Sequence, residues 1–174
     1  MNFNELADKA HSNAVNHGFW DEKWSNEHCL MLVITEISEM VEAHRIYNKA
    51  NTAAYNEMPN KQTGFEKFIK NTMEDEMADI VIRLADLAGA LGVNFEKMSP
   101  CRYYRAYSKF SITENAFALS KGLCRDGIGI EKRIQFGLDF VTKWAQELNI
   151  ELAFFVAQKM RYNVMRPYRN GKQY

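Results

Sequence analysis

Apolar residues recur through most of the chain at intervals of three and four, which places them on one face of an α-helix. No stretch alternates apolar and polar residues around an Asn-Gly or Asp-Gly turn, the pattern typical of a β-hairpin. The sequence therefore predicts an all-α fold. The predicted helices cover about 3–16, 26–49, 65–91, 95–107, 113–122, 130–148 and 150–165.

Helix ends are marked by residues that cap or break helices. Gly18 follows the first predicted helix, and Ser25 or Asn26 is a suitable N-cap for the second. Residues 51–64 collect Asn, Thr, Pro and Gly, so this segment is predicted to be a loop. With 174 residues, the chain is expected to form one domain with its own core.

Charge and cysteine usage narrow the class of protein. Lys and Arg number 22, as do Asp and Glu, so the formal net charge is +0, which argues against a stable nucleic-acid partner. The 3 cysteines form no C-x-x-C pair, which favours reduced thiols over a zinc site. The most apolar stretches, at 30–34 and 153–157, are too short to span a membrane. A cytoplasmic protein with no membrane partner is expected.

The chemistry predicted for this chain depends on four carboxylates. Glu36 and Glu39 lie on the second predicted helix, and Glu76 and Asp79 on the third, each pair three residues apart beside the apolar stripe of its helix. Such spacing is common on solvated helices. If the two helices pack together, however, four carboxylates between them would need a compensating cation. An all-oxygen donor set favours Mg²⁺, with Mn²⁺ as a substitute, over zinc.

These residues resemble a known family, the MazG-like all-α nucleoside triphosphate pyrophosphohydrolases, which include dimeric dUTPases and dCTP pyrophosphatases. The family pattern, E-E-x-x-E followed by E-x-x-D, is matched by Thr35-Glu36-Ile37-Ser38-Glu39 and Glu76-Met77-Ala78-Asp79, with Thr35 in place of the first acid. GFW before the second helix, LAGALGVN after the third and KMRYNVMRPYRNGKQY at the C-terminus extend the resemblance. It implies a four-to-five-helix bundle, with about 99–148 as an added helical segment.

The resemblance also implies an activity and a set of roles. Glu36, Glu39, Glu76 and Asp79 would hold Mg²⁺, and Glu36 or Glu39 would serve as general base in cleaving a (d)NTP to its monophosphate and pyrophosphate. Lys159, Asn163 and Arg166 share one face of the last helix or its exit and are assigned to phosphate contacts. Trp20 is assigned to the base, although aromatic residues in a short loop often only anchor packing.

Some alternatives stay open at this point. A catalytically inactive nucleotide-sensing or helical assembly module would keep the fold without the chemistry, and Thr35 and the added segment motivate that hypothesis. The aromatic residues of the added segment would either cover the pocket or build a subunit contact. A homo-oligomer, a dimer or a tetramer, is expected from the resemblance. His17, His28 and His44 are interpreted as structural.

Overall fold

The structure, a computed structural model, describes residues 1–99 and 105–171. These residues form α-helices and short 3₁₀ turns without any β-strand, so the all-α prediction is confirmed. The helices are α1 (Phe3–Asn16), α2 (Asn26–Arg45), α3 (Thr52–Glu57), α4 (Lys61–Phe68), α5 (Met73–Ala90), α6 (Ile112–Leu123), α7 (Ile130–Glu147) and α8 (Leu152–Val164). The 3₁₀ turns are Phe95–Lys97, Tyr107–Lys109 and Tyr168–Gly171.

The predicted loop over 51–64 is wrong, because it contains α3 and the first half of α4. Asn51 accepts a hydrogen bond from the Ala54 N–H, and Asn60 accepts one from the Thr63 N–H, each at 3.0 Å. Asparagine is favoured both in loops and at the N-cap of a helix. The residues that suggested a loop therefore begin two short helices.

Other helix limits also differ from the prediction. The single helix expected over 65–91 is divided between α4 and α5, since Asn71 adopts a φ of 60° and Thr72 caps a new helix. The second helix ends before residue 49, where Tyr47 adopts a φ of 56°. The predicted helix over 95–107 begins as a 3₁₀ turn, and its part at 100–104 lies outside the described residues.

Helix α5 is the centre of the core. Twelve of its eighteen residues are buried, and α1, α2, α7 and α8 all pack against it. A helix buried on nearly every side also buries polar residues, which costs free energy unless they are paired, so the acids of its first turn need partners. The packing of α1 is close at Gly89, where a Cβ atom would lie 2.6 Å from the Ala7 carbonyl oxygen.

The segment predicted as an insertion forms α6 and α7 in its described part. Helix α6 packs on α2, while α7 packs on α5 and on α6. None of the described residues from this segment lines the main cleft of the molecule, and both roles considered for the segment, covering the pocket and building a subunit contact, stay predictions. None of the helices that the structure describes has the length and apolar character needed to cross a membrane.

Candidate metal centre and binding cleft

One cleft, with a volume of about 320 Å³, lies among α1, α2, α5 and α8. The segment between α1 and α2 closes one of its ends. All eight site residues predicted from the sequence line it: Trp20, Glu36, Glu39, Glu76, Asp79, Lys159, Asn163 and Arg166. The fold thus brings residues from four separate parts of the chain to one place.

Three carboxylates meet at one end of this cleft. Glu36 from α2 and Glu76 and Asp79 from α5 each offer one oxygen, and these atoms all lie within 4.8 Å of one another. Glu36 and Glu76 are buried, with exposed fractions of 5% and 3%. Glu39 lines the same cleft but is exposed and lies outside this group, which we call the acidic triad. The triad is small enough for one metal ion to contact all three side chains.

Unpaired buried oxygens indicate that a cation fits the triad. Glu76 Oε2 is buried and has no hydrogen-bond partner among the described residues, and the same holds for Asp75 Oδ1 and Asn163 Oδ1. A buried acceptor without a partner is costly, and a metal ion provides the missing partner without a donor hydrogen. Three carboxylates are also the type of ligand that a hard divalent cation prefers.

Burial and the neighbouring negative charges raise the pKa values of Glu36 and Glu76. Burial, followed by the charge of Asp79, raises the pKa of Glu76 to about 9. Burial also raises the pKa of Glu36, although Arg83 opposes this shift. Without a cation, Glu76 therefore holds a proton at neutral pH. A divalent ion that binds the triad must displace this proton.

Two basic side chains already neutralise part of this charge. Arg83 Nε donates a hydrogen bond to Glu36 Oε1 across the contact between α5 and α2. Lys159 Nζ lies 2.9 Å from Asp75 Oδ2 and 2.6 Å from Asp79 Oδ2, and only 4% of the lysine is exposed. Although burial lowers the pKa of Lys159, the charges of Asp79 and Asp75 raise it above its usual value. Lys159 is therefore a fixed cation at the edge of the triad.

Asp75 is a site residue that the sequence analysis missed. It is 0% exposed, and its Oδ2 accepts hydrogen bonds from the Asn71 N–H at 3.0 Å and from Lys159 Nζ. Burial and then Asp79 raise its pKa to about 6. The i, i+3 spacing used to select the acids passes over Asp75, which faces α8. Its adjacency to Glu76 is the one sequence signal that was available.

Thr35, where the resembling family has an acid, makes a local contact. Its hydroxyl donates a hydrogen bond to the Leu32 carbonyl oxygen of the same helix at 2.6 Å, and it does not line the cleft. The acidic triad is therefore assembled without a carboxylate at position 35.

The opposite end of the cleft is aromatic. Trp20 is half-buried, and its Nε1 donates a hydrogen bond to Asp86 Oδ1 at 2.9 Å. The rings of Trp24 and His28 stack with centroids 4.3 Å apart, and Phe19 lines the same region. His17 and His28, interpreted from the sequence as structural, also line the cleft. This end offers flat apolar surfaces suited to a planar ring.

The charge of the triad predicts a pH dependence of stability. In metal-free protein, the free energy of unfolding is expected to fall as the pH rises from 4.5, the ordinary pKa of Glu76, to about 9, its pKa in the fold. The folded state holds more protons than the unfolded state between these two pH values. The contribution of Glu76 to stability is therefore complete below pH 4.5 and is lost as the pH rises to about 9. Mg²⁺ should restore the loss by stabilising the ionised carboxylates.

Thermal unfolding with and without Mg²⁺ at about pH 6 and about pH 8.5 measures this effect. The rise in Tm caused by Mg²⁺ should be larger at the higher pH, and Glu76→Gln should weaken both the pH dependence and the response to Mg²⁺. A metal-free Tm that rises across this interval would contradict the prediction.

Comparison with known proteins does not assign this chain to a family. No family model matches the chain, and neither the curated proteins nor the solved structures contain a match.

Proposed function

We propose that this protein is a Mg²⁺-dependent pyrophosphohydrolase that cleaves a (d)NTP to its monophosphate and pyrophosphate, in house-cleaning or control of the nucleotide pool. One observation carries the proposal: a single cleft holds the acidic triad at one end and the aromatic surfaces at the other. A nucleotide has the complementary layout, with anionic phosphates at one end and a planar base at the other. The resemblance to MazG-like enzymes supports the same activity.

The proposed ligands of Mg²⁺ are Glu36, Glu76 and Asp79, with Glu39 at the rim of the cleft. When bound, Mg²⁺ neutralises phosphate charge and lowers the pKa of water. Between the two candidates for general base, we favour Glu39. Glu36 is held by Arg83, whereas no described residue forms a hydrogen bond or ion pair with Glu39. An exposed carboxylate beside the triad is free to accept a proton.

The proposed reaction is a displacement at the α-phosphorus. The water oxygen bonds to that phosphorus while Glu39 accepts a water proton. The bond from the α-phosphorus to the bridging oxygen breaks, and the electron pair leaves with pyrophosphate. Lys70 and Arg166 line the cleft and supply positive charge for the phosphates, and Asn163 is placed to donate a hydrogen bond through its amide.

Lys159 has a second proposed role beside the phosphate contact expected from the sequence. Its ammonium group lies between Asp75 and Asp79, so it compensates carboxylate charge before any nucleotide binds. An ammonium group has three donor hydrogens, which leaves one for a phosphate oxygen when two carboxylates are engaged. The homo-oligomer and the cytoplasmic location stay predictions.

The same ion pairs favour a second candidate, an inactive nucleotide-sensing module. Lys159 and Arg83 pair internally with three of the acids in and beside the triad. A cluster compensated in this way is less dependent on a metal ion for its stability. This candidate predicts nucleotide binding without any monophosphate formed over hours.

A pyrophosphate-release assay across the eight common NTPs and dNTPs tests the proposal. Release is expected with Mg²⁺, for one or a few nucleotides, and is expected to cease without the metal and in Glu36→Gln and Glu76→Gln. Monophosphate and pyrophosphate should form in equal amounts. Release of inorganic phosphate in place of pyrophosphate, or undiminished activity in both variants, would contradict the proposal.

A further inference from the structure

Asp86 is a half-buried acid in the cleft, outside the acidic triad. It follows Asp79 by two turns of α5, so it lies on a similar face of the helix about 10 Å further along the axis. This distance resembles the separation between a phosphate and the far edge of the base in a nucleotide. Asp86 lines the cleft at its aromatic end, and its side chain is 22% exposed.

Two donors fix the orientation of the Asp86 carboxylate. His11 Nδ1 and Trp20 Nε1 both lie 2.9 Å from Oδ1. The two rings also contact each other edge-on, with centroids 5.1 Å apart. Because both hydrogen bonds use Oδ1, Asp86 Oδ2 has no hydrogen bond or ion pair with a described residue and is not sealed from the cleft.

The charge state of Asp86 makes Oδ2 an acceptor at neutral pH. Burial raises the pKa of Asp86 to about 6, while the hydrogen bonds from His11 and Trp20 and the charge of Arg83 oppose the shift. At about pH 7.5 the group is therefore ionised in most molecules. An ionised carboxylate accepts hydrogen bonds and donates none, so His11 Nδ1 carries the hydrogen in this pair.

We propose that Asp86 selects nucleotides whose base carries an exocyclic amine, namely cytosine, adenine or guanine, over those of uracil and thymine. The amine donates a hydrogen bond to Oδ2 while the ring lies against the aromatic end of the cleft. Uracil and thymine present a carbonyl oxygen where cytosine has its amine, and this oxygen would face the carboxylate without a shared hydrogen. The inference rests on the proposed function in taking a nucleotide as the ligand.

Binding of deoxynucleoside monophosphates tests the selection without depending on turnover. The probes are dCMP, dAMP, dGMP, dUMP and dTMP, titrated calorimetrically into the full chain with Mg²⁺ at about pH 7.5. The decisive pair is dCMP and dUMP, because they differ mainly by the amine and the carbonyl. The wild type is expected to bind dCMP at least about tenfold more tightly than dUMP. Tightest binding of dUMP or dTMP would overturn the proposal, as would equal binding of all five probes.

Asp86→Asn gives a sharper test because its amide can be oriented in only one way. Trp20 Nε1–H is a donor only, so the amide oxygen must take the place of Oδ1. The amide NH₂ then faces the cleft and favours a carbonyl. The ratio of dCMP to dUMP affinity is expected to fall at least about tenfold. Asp139→Asn on α7, half-buried and away from the cleft, is the matched control and should keep the wild-type ratio.

The outcomes separate this inference from the proposed function. A chain that prefers dCMP to dUMP but releases no pyrophosphate retains the base selection and loses the enzyme proposal. A chain that hydrolyses dNTPs with Mg²⁺ but binds the five probes equally retains the enzyme proposal and loses the selection. An Asp86→Asn variant that folds like the wild type and keeps its preference would overturn the role of Asp86.

Discussion

Glu76→Gln should lower the rate of pyrophosphate release by about a thousandfold or more while leaving the fold intact. Glu76 provides a buried oxygen with no hydrogen-bond partner among the described residues, and an amide is a poor substitute for a carboxylate as a ligand of Mg²⁺. The fold should persist because the pKa of Glu76 is about 9, so this side chain is already neutral in metal-free protein at pH 7. Glutamine has nearly the shape of the protonated acid.

The measurement is the initial rate at saturating Mg²⁺, together with helical content and calorimetric titration of the metal. Glu42→Gln is the matched control, since Glu42 lies on α2 with 57% of its side chain exposed and pairs with Arg45. That variant should retain the wild-type rate and metal affinity. A folded Glu76→Gln protein with more than about a tenth of the wild-type rate would contradict the proposed metal ligand.

Lys159→Met should destabilise the protein by about 3–5 kcal/mol. Methionine preserves much of the apolar stem of lysine but removes the cation that lies between Asp75 and Asp79. Asp75 is fully buried, so it must then take up a proton or remain as an unpaired charge. Either outcome lowers the free energy of unfolding by more than the loss of a surface ion pair would.

Urea unfolding at about pH 7.5 measures the loss. The double variant with Asp75→Asn and Lys159→Met should recover a substantial part of it, because the buried charge is then removed together with its partner. Lys70→Met is the control, since Lys70 lines the same cleft and forms no ion pair with a residue that the structure describes. This variant should change stability by less than about 1 kcal/mol. Wild-type stability in Lys159→Met would show that Asp75 is neutral in the native protein.

The double variant also isolates the predicted phosphate contact of Lys159. If its stability is restored, a raised KM for the nucleotide would then report on the lost ammonium group and not on a damaged fold. Comparing kcat and KM individually between the double variant and the wild type separates substrate binding from the chemical step.

Much of the fold could be predicted because most helices have strong local signals. Helix α1 has the predicted limits, and α6, α7 and α8 begin and end within two residues of theirs. The division between α4 and α5 was missed because the apolar spacing continues through Ile69, which is buried in the core. The local signal for the division was Thr72, whose hydroxyl accepts a hydrogen bond from the Asp75 N–H at 3.3 Å.

The sequence predicted eight residues that line one cleft, but it did not predict the contacts among them. The helical spacing of Glu36, Glu76 and Asp79 was sufficient to predict that they lie beside the contact between α2 and α5. The pairing of Lys159 with Asp75 joins residues 84 positions apart, and the direction of α8 across α5 decides it. Asp86 was missed for the same reason, because its partners His11 and Trp20 belong to α1 and to the segment after it.

The central position of α5 links ligand binding to the slowest motion of the molecule. Amide hydrogens in the middle of a helix surrounded by four others exchange with solvent mainly when the whole domain opens. Because this helix carries Glu76, Asp79 and Asp86, a ligand that binds them slows exchange in every helix that opens together with α5. Protection measured far from the cleft, on α7 for instance, would then titrate with the nucleotide as faithfully as protection at the site.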